Sequence, residues 1–450
     1  MISAEQNQRL TQIGPNTLAG ELLRQYWQPV ALTSELDALQ DGVVRPVIPV
    51  RVLGQNLVLF RDPQGQSALL DRDCPHRGAD LSYGRLEDGG LRCPFHGWLF
   101  DASGQCLQTR AEPAGSRLCD RVRQKVWPVR EQAGVIFAWL GEQTPAELPA
   151  LDCLTAPATH VFAFKGLWRC NWLQAQEVGI DPAHASFLHR FYDDGSPEEA
   201  YGRQFRSASA NSTMSMTEVM RRFDRPDIRV EPTDWGLRLI TSRQIDDAHM
   251  HVRGTNGVFP NAIVLPMSET MTSTQWHVPV DDTSTYWCSV FTSFAEPVDA
   301  PAMLAQRLAM HTLPDHAPTT GAHNRYGYSA RDQQQRTFTG MGEDINVHDQ
   351  WAVESPGPIA DRTREHLGTT DKAIMMNRRM LLRAMEALEH GQPPPGFMGR
   401  EPLAGYTGPA TMDGVCPSTE PAAIEQFWQE VDQRRRQAAP WFDTARAIAG

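Results

Sequence analysis

Cys74-Pro75-His76-Arg77-Gly78, followed by Cys93-Pro94-Phe95-His96-Gly97-Trp98, carries the sharpest chemical signal in the chain. Two thiolates and two imidazoles on paired loops can surround a metal, and closed zinc sites use the same donor set. Spacing alone does not separate zinc from other centres. The frame argues against zinc, because each donor pair sits in a Cys-Pro turn beside a glycine, within β-rich sequence and with no recognition helix adjoining.

Working outward, VIPVRVLG at 47 to 54, NLVLFRD at 56 to 62 and GVIFAWLG at 134 to 141 are short β-rich runs cut by turns, which predicts a small all-β module over 31–145. Residues 1–30 place Leu10, Ile13, Leu22, Leu23 and Tyr26 at helical spacing around the turn Gly14-Pro15-Asn16, a helical lead-in expected to pack on the later domain. Thr144 to Pro157, with three prolines, reads as a linker. Beyond it, strand-like HVFAFKGLWRC, LRLITSRQID, NAIVLPM and STYWCSVFTSF alternate with helical stretches near 172 to 190 and 371 to 390. This predicts an α+β domain over 146–450, an antiparallel sheet with helices of the helix-grip type. Pro393-Pro394-Pro395 reads as a stiff loop. AAIEQFWQEVDQRRRQ at 422 to 437 reads as a helix, with Arg434, Arg435 and Arg436 as its solvated end.

With 41% hydrophobic residues, 450 residues can build two cores. The formal charge of -12 excludes nucleic acid as a main partner, since phosphate binding needs clustered cations. The polar N-terminal stretch and the lack of a long apolar run exclude a membrane span and predict a cytoplasmic protein. Eight irregularly spread cysteines do not form a disulfide framework. Only Cys74 and Cys93 have histidine at ligand spacing, so Cys106, Cys119, Cys153, Cys170, Cys288 and Cys416 are read as core.

A second constellation lies in Asn171-Trp172-Leu173-Gln174-Ala175-Gln176-Glu177-Val178-Gly179-Ile180-Asp181-Pro182-Ala183-His184-Ala185-Ser186-Phe187-Leu188-His189. On a slightly distorted helix, His184 and His189 come close enough to one face to grip one ion. The bland alternative is a pair of satisfied histidines on a partly buried helix. Two imidazoles and a carboxylate make the facial triad of non-haem Fe(II), with positions left open for O2 and substrate. Asp181, Asp344, Asp349, Glu354 and Asp361 are the carboxylates to weigh, and the last four lie in the segment from Arg336 to Asp371. Helix capping and ion pairing are the plain roles for Asp344, Glu354 and Asp361.

CPHRGADL and CPFHGWLFDASGQC resemble the signature of the Rieske ring-hydroxylating oxygenases, and D-x-x-H-x-x-x-x-H at 181 to 189 is similar to theirs. The resemblance implies a [2Fe-2S] cluster with Cys74 and Cys93 on one iron and His76 and His96 on the other, neutral imidazole raising the potential. It gives Gly78, Gly97 and Gly104 the role of bringing backbone N–H groups near the sulfurs. Asp181 becomes a bridge toward a Rieske histidine, His96 being favoured over His76, rather than an iron ligand. The segment around 349 resembles the phthalate-dioxygenase branch, whose iron-binding Asp sits in QD-x-A-x-x-E-S. Asp349 is that ligand by the match, with His348 where the branch has Gln.

The family resemblance also implies a homotrimer or stacked hexamer, joined head to tail so that one chain's cluster faces the next chain's Asp181. Electrons would come from a separate flavin and [2Fe-2S] NAD(P)H-dependent reductase, since no Gly-rich dinucleotide fingerprint follows a strand here. Branch members act on phthalate, isophthalate, chlorobenzoate or phenoxybenzoate types, so the implied activity is dioxygenation of an aromatic carboxylate. A Rieske monooxygenase or O-demethylase is the alternative, and an electron-transfer protein without oxygenase activity a third. A carboxylate in an apolar pocket needs a cation. Arg206 and Arg243 are the candidates, each with a surface ion pair as its plain role. Met, Phe and Trp residues around 259 to 290 are equally readable as pocket or as core.

Overall fold

The computed structural model describes residues 2–37, 39–40, 43–87, 89–193, 208–394 and 409–442; Arg206 and Pro395 lie outside them. The chain opens with two short helices, Ala4–Thr11 and Leu18–Arg24. Ser3 and Gln6 form a reciprocal cap on the first, Thr17 caps the second, and Asn16 turns between them at φ 66°.

The β-rich first module folds as three small antiparallel sheets. One runs Val126–Trp127, Ser67–Asp71, Gln55–Arg61, Val47–Val52; another runs Cys106–Thr109, Trp98–Phe100, Gly90–Arg92, Arg85–Glu87. The third joins Gln28–Leu32, Val135–Ala138 and Val129–Gln132. Both donor-bearing loops hang from these strands.

The second region is built on an eight-stranded antiparallel sheet. Val161–Trp168 forms one edge, followed by Ser284–Ser293, Met271–Asp281, Ala262–Pro266, Met250–Val258, Gly236–Gln244 and Asp227–Thr233, with Met412–Cys416 also paired to Met250–Val258. The long helix Lys372–Glu389 packs on this sheet through Ala373, beside Leu237, Leu239 and Ile263. Together these give an all-β module followed by an α+β domain with an antiparallel sheet.

A single apolar core crosses from the lead-in helices through both regions, including Leu10, Trp27, Leu57, Trp139, Trp172, Trp276 and Leu381. Each side chain of this size contributes about 1.5–3 kcal/mol by leaving water. Polar links follow the same path: Trp172 Nε1 donates to Leu10 O, and Asn171 Nδ2 donates to Thr11 O. Residues 144 to 157 carry no regular structure apart from the single turn Asp152–Thr155, with Leu151 and Cys153 buried.

Two sequence expectations fail here. The helix expected over 172 to 190 ends at Gly179, because Pro182 offers no N–H and obstructs a continuing helix. The cluster Arg434 to Arg436 is not a solvated end. Arg435 and Arg436 are buried against Asp432, and Arg436 also pairs with Asp152 of the linker.

Candidate metal centres and the cavity between their loops and the sheet

The two donor loops of the first module have the same internal wiring. Cys74 N–H donates to Ala79 O and Gly78 N–H to Cys74 O, while Cys93 N–H donates to Trp98 O and Gly97 N–H to Cys93 O. Gly78 and Gly97 both sit at φ 73°, a conformation that costs glycine nothing. Their N–H groups close the turns onto the cysteine carbonyls. Cys74 and Cys93 are buried, whereas His76 and His96 stand half-buried above them with ring centroids 4.5 Å apart. His76 stacks on Trp98 at 4.4 Å, and the buried Nδ1 of His96 has no hydrogen-bond partner among the described residues. Burial, with Cys93 beside it, pushes the Cys74 thiol up to about 11 against the pull of the His76 and Arg77 backbone N–H groups, which favour the thiolate. Two inward thiols and two outward imidazoles, one with an orphaned nitrogen, fit a two-iron cluster with unlike ends.

The second centre lies on a loop. Beyond Gly179 the chain passes Asp181, whose Oδ1 accepts from Ala183 N–H, into a single 3-10 turn His184–Ser186 and then to His189. The helix Ile345–Glu354, capped by Asp344, brings in Asp349. His189 Nε2 lies 3.2 Å and His184 Nε2 3.8 Å from Asp349 Oδ1, and the three residues can each offer one atom within 4.8 Å of the others. Asp349 Oδ1 itself has no hydrogen-bond partner among the described residues, which suits a ligand atom for a cation.

The alternatives take the plain roles. Asp344 and Asp361 cap helical turns, and Glu354 accepts from Tyr326 and from Arg169 N–H. Asp181 Oδ2 is 3.7 Å from His184 Nδ1, beside the loop that carries both histidines but beyond hydrogen-bond reach.

His348 was not foreseen as part of the site. It is fully buried, and its Nε2 lies 3.0 Å from Gly342 O, which only accepts, so Nε2 carries the proton. Burial pushes this imidazole down to about 4, so it is neutral and its Nδ1 is an acceptor. That Nδ1 faces His189 Nδ1 at 3.5 Å, leaving the His189 Nε2 lone pair toward Asp349. The signal was the histidine standing where the resemblance calls for Gln.

The loop and the sheet enclose a cavity of about 140 Å³. Asp181, His184, His189 and Asp349 line one part of it, and Trp168, Ile263, Leu265, Met267, Trp287 and Phe291 supply an apolar lining. Thus part of the 259 to 290 stretch faces the cavity, while Phe259 and Trp276 belong to the core. Arg243 does not line it. It is buried behind the loop, with Nη2 3.3 Å from Ser186 Oγ, and Nε and Nη1 have no partner among the described residues. Burial, with Arg253 nearby, pushes its guanidinium down to about 10. Arg253 and Arg307 do line the cavity; the first donates to Asp413 and Pro266 O, and the second lies over the rings of Phe164, Trp287 and Phe291.

Residues 26–128 match the family model "Rieske [2Fe-2S] domain", and residues 138–428 match "LigXa C-terminal domain like". The chain is 32% identical over 409 residues to the phthalate 4,5-dioxygenase oxygenase subunit of Pseudomonas putida, covering 87% of this chain and 88% of that protein. It is 32% identical over 425 residues to the 5,5'-dehydrodivanillate O-demethylase oxygenase subunit of Sphingobium sp. (strain NBRC 103272 / SYK-6), covering 92% and 89%. Among solved structures, the NdmA QL mutant of Pseudomonas putida CBB5 with theobromine shares the fold, with a TM-score of 0.57 at 18% identity over 82% of this chain and 93% of that one.

Proposed function

The chain belongs to the Rieske non-haem iron oxygenases, and we propose that within them it is the terminal oxygenase of a multicomponent dioxygenase acting on an aromatic carboxylate of the phthalate, isophthalate, chlorobenzoate or phenoxybenzoate type. The observation that carries this reading is the convergence of His184, His189 and Asp349 on one point at the wall of an apolar cavity. A chain that only passed electrons would have no use for that triad. In this assignment Cys74, Cys93, His76 and His96 hold the cluster, while His184, His189 and Asp349 hold the mononuclear iron. Bound there, the iron supplies O2 activation and the cluster supplies electrons delivered by an NAD(P)H-dependent flavin and [2Fe-2S] reductase.

The protein's own groups orient and exclude. His348 keeps the Nε2 lone pair of His189 turned to the site, and the apolar lining keeps bulk water from it. Asp181 lies beside His184 and is the bridge toward a Rieske histidine of a neighbouring chain in a head-to-tail trimer or stacked hexamer. Exposed aromatics at both metal loops support such an assembly: Tyr83 and Phe95 near the first, Phe187 and Phe338 near the second. Arg243 has guanidinium N–H groups to spare for a substrate carboxylate once the loop carrying Ser186 gives way, and Arg206 is its proposed companion. No helix among the described residues is long and apolar enough to cross a membrane, and the cytoplasm is the proposed compartment.

A second reading, O-demethylation of a related aromatic acid, is supported by the dehydrodivanillate O-demethylase relative. Metal and sulfide analysis of anaerobically purified protein tests the shared core of both. Roughly three irons and two acid-labile sulfides per chain are expected, falling to about two irons in Asp349→Ala with the red-brown colour kept. Zinc without sulfide would overturn the assignment. Product analysis with reductase and, in parallel, phthalate and a methoxybenzoate then separates hydroxyls added to the first from a methyl group lost by the second.

A further inference from the structure

One wall of the cavity is held by hydrogen bonds whose direction can be read from end to end. Gln275 and Ser289 are cross-strand partners on Met271–Asp281 and Ser284–Ser293, and both line the cavity. Behind them stand His277, on the same face of the strand as Gln275, and Gln176, on the helix Trp172–Gly179 that leads into the iron loop. Gln176 Nε2 lies 3.4 Å from Ala262 O, which only accepts, so the amide nitrogen must face it. Gln176 Oε1 therefore points to His277 Nδ1, 2.8 Å away, and that nitrogen carries the proton. Burial holds the His277 imidazole neutral, its pKa pushed down to about 3, so His277 Nε2 is an acceptor. Gln275 Nε2 then donates to it across 2.9 Å, and Gln275 Oε1 accepts from Ser289 Oγ across 2.7 Å.

The consequence appears at the cavity surface. Ser289 has spent its only proton on Gln275, so it offers lone pairs alone, while Gln275 keeps one N–H that meets no acceptor among the described residues. A phenolic hydroxyl satisfies both, donating to Ser289 Oγ and accepting from Gln275 Nε2. An ether oxygen satisfies only Gln275, and a carboxylate would set its charge against the Ser289 lone pairs. Ser273, also in the lining, has a hydroxyl of either polarity and does not discriminate.

We infer that Ser289 and Gln275 are specificity-determining residues that select an arene carrying a free ring hydroxyl and turn any carboxylate of that arene toward another part of the cavity. This rests on reading the cavity as the arene site proposed above, and it moves the substrate from the acids named there, none of which carries a free ring hydroxyl, to hydroxylated aromatic acids.

The test is binding to the anaerobic holoenzyme, followed by tryptophan fluorescence, of the three hydroxybenzoates and the three hydroxybenzamides, each against benzoate or benzamide. At least one hydroxyl isomer is expected to bind about tenfold or more tighter than its deoxy partner, because a site built around a hydroxyl leaves its polar groups unpaired without it. In Ser289→Ala, and independently in Gln275→Leu, that ratio should collapse to within about threefold. Iron and sulfide content reports whether each variant has folded, and the wild-type ratios decide the matter alone if neither has. Equal binding of hydroxy and deoxy partners in both series overturns the inference, and leaves the carboxylate reading standing if benzoates bind better than benzamides. A hydroxyl preference among the benzamides without any benzoate binding upholds the wall and overturns the carboxylate reading. A preference that persists in both variants removes it from Ser289 and Gln275, and no binding of any probe overturns both readings.

Discussion

His348 touches His189 rather than the point where the three ligands meet, yet it decides which nitrogen of His189 is available there. Replacing it by phenylalanine removes the acceptor and lets the His189 ring choose either tautomer. Fe(II) affinity should then fall about 10–100-fold, with sulfide and cluster absorbance unchanged. Glutamine, whose side-chain oxygen can take the same N–H, should restore most of the affinity. Equilibrium dialysis against Fe(II) measures both, and wild-type affinity in His348→Phe would remove His348 from the site. Legibility at this scale followed locality. Cys74, His76, Cys93 and His96 sit in two short strings whose side-chain order is their chemistry, so sequence was enough to nominate them. Gln176, His277, Gln275 and Ser289 are assembled from three elements by strand register, and no spacing in the chain announces them.

At the scale of elements, the turn Thr33–Leu36 is pinned to the sheet by Glu35, which pairs with Lys165 at 2.8 Å and lies 3.5 Å from His316. Burial raises the Glu35 carboxyl, but Lys165 and His316 overcome this and bring it down to about 2. A carboxyl depressed on folding stabilises in full above its unfolded value of about 4.3 and loses that contribution as pH falls toward the folded value. Glu35→Gln should therefore cost about 3–5 kcal/mol at neutral pH by stranding buried Lys165. Its deficit against wild type should shrink between roughly pH 4.5 and pH 2, a trend that urea unfolding at stepped pH would reveal. A deficit independent of pH would mean that Glu35 is not the titrating group. The C-terminal helix Pro421–Ala438 is held in the same way. Arg436→Ala strands Asp152 in the linker and should lower stability by about 3–5 kcal/mol, seen as a lower Tm, whereas a solvated helix end would show almost none. Sequence located this helix but misjudged its arginines, because a run of three cations looks alike whether it meets water or a buried carboxylate. The helix Trp172–Gly179 stops short of its expected end for the opposite reason: apolar spacing continues beyond Gly179, but Pro182 does not let a helix run through it.

For the whole molecule, the exposed aromatics are the testable feature. Phe187 and Phe338 meet edge to face at 5.7 Å with Arg190 over the Phe187 ring, and Tyr83 stands exposed beyond the first donor loop. In the proposed ring these patches meet, so Tyr83→Asp and Phe338→Asp should each yield monomers by light scattering. Iron and sulfide per chain should stay constant while turnover collapses, since Asp181 would face no neighbouring cluster. An active monomer would rule out electron delivery between chains. The two-part architecture was readable because the β-rich runs and the alternating strand and helix text differ in period. The continuity of one core across both parts was not, since Leu10, Trp172 and Leu381 share no local pattern.

That shared core also sets a timetable. Leu10 and Thr11 give their carbonyls to Trp172 and Asn171, and Arg9 pairs with Glu389 at the end of the long helix. At a synthesis rate of about 5–20 residues per second, the opening helix waits roughly 20–75 s for the last of these partners to leave the ribosome. Until then its apolar face is unsheltered. The docking of the opening helices is therefore a late event in the birth of the chain, and the stage at which a chaperone would find the most to hold.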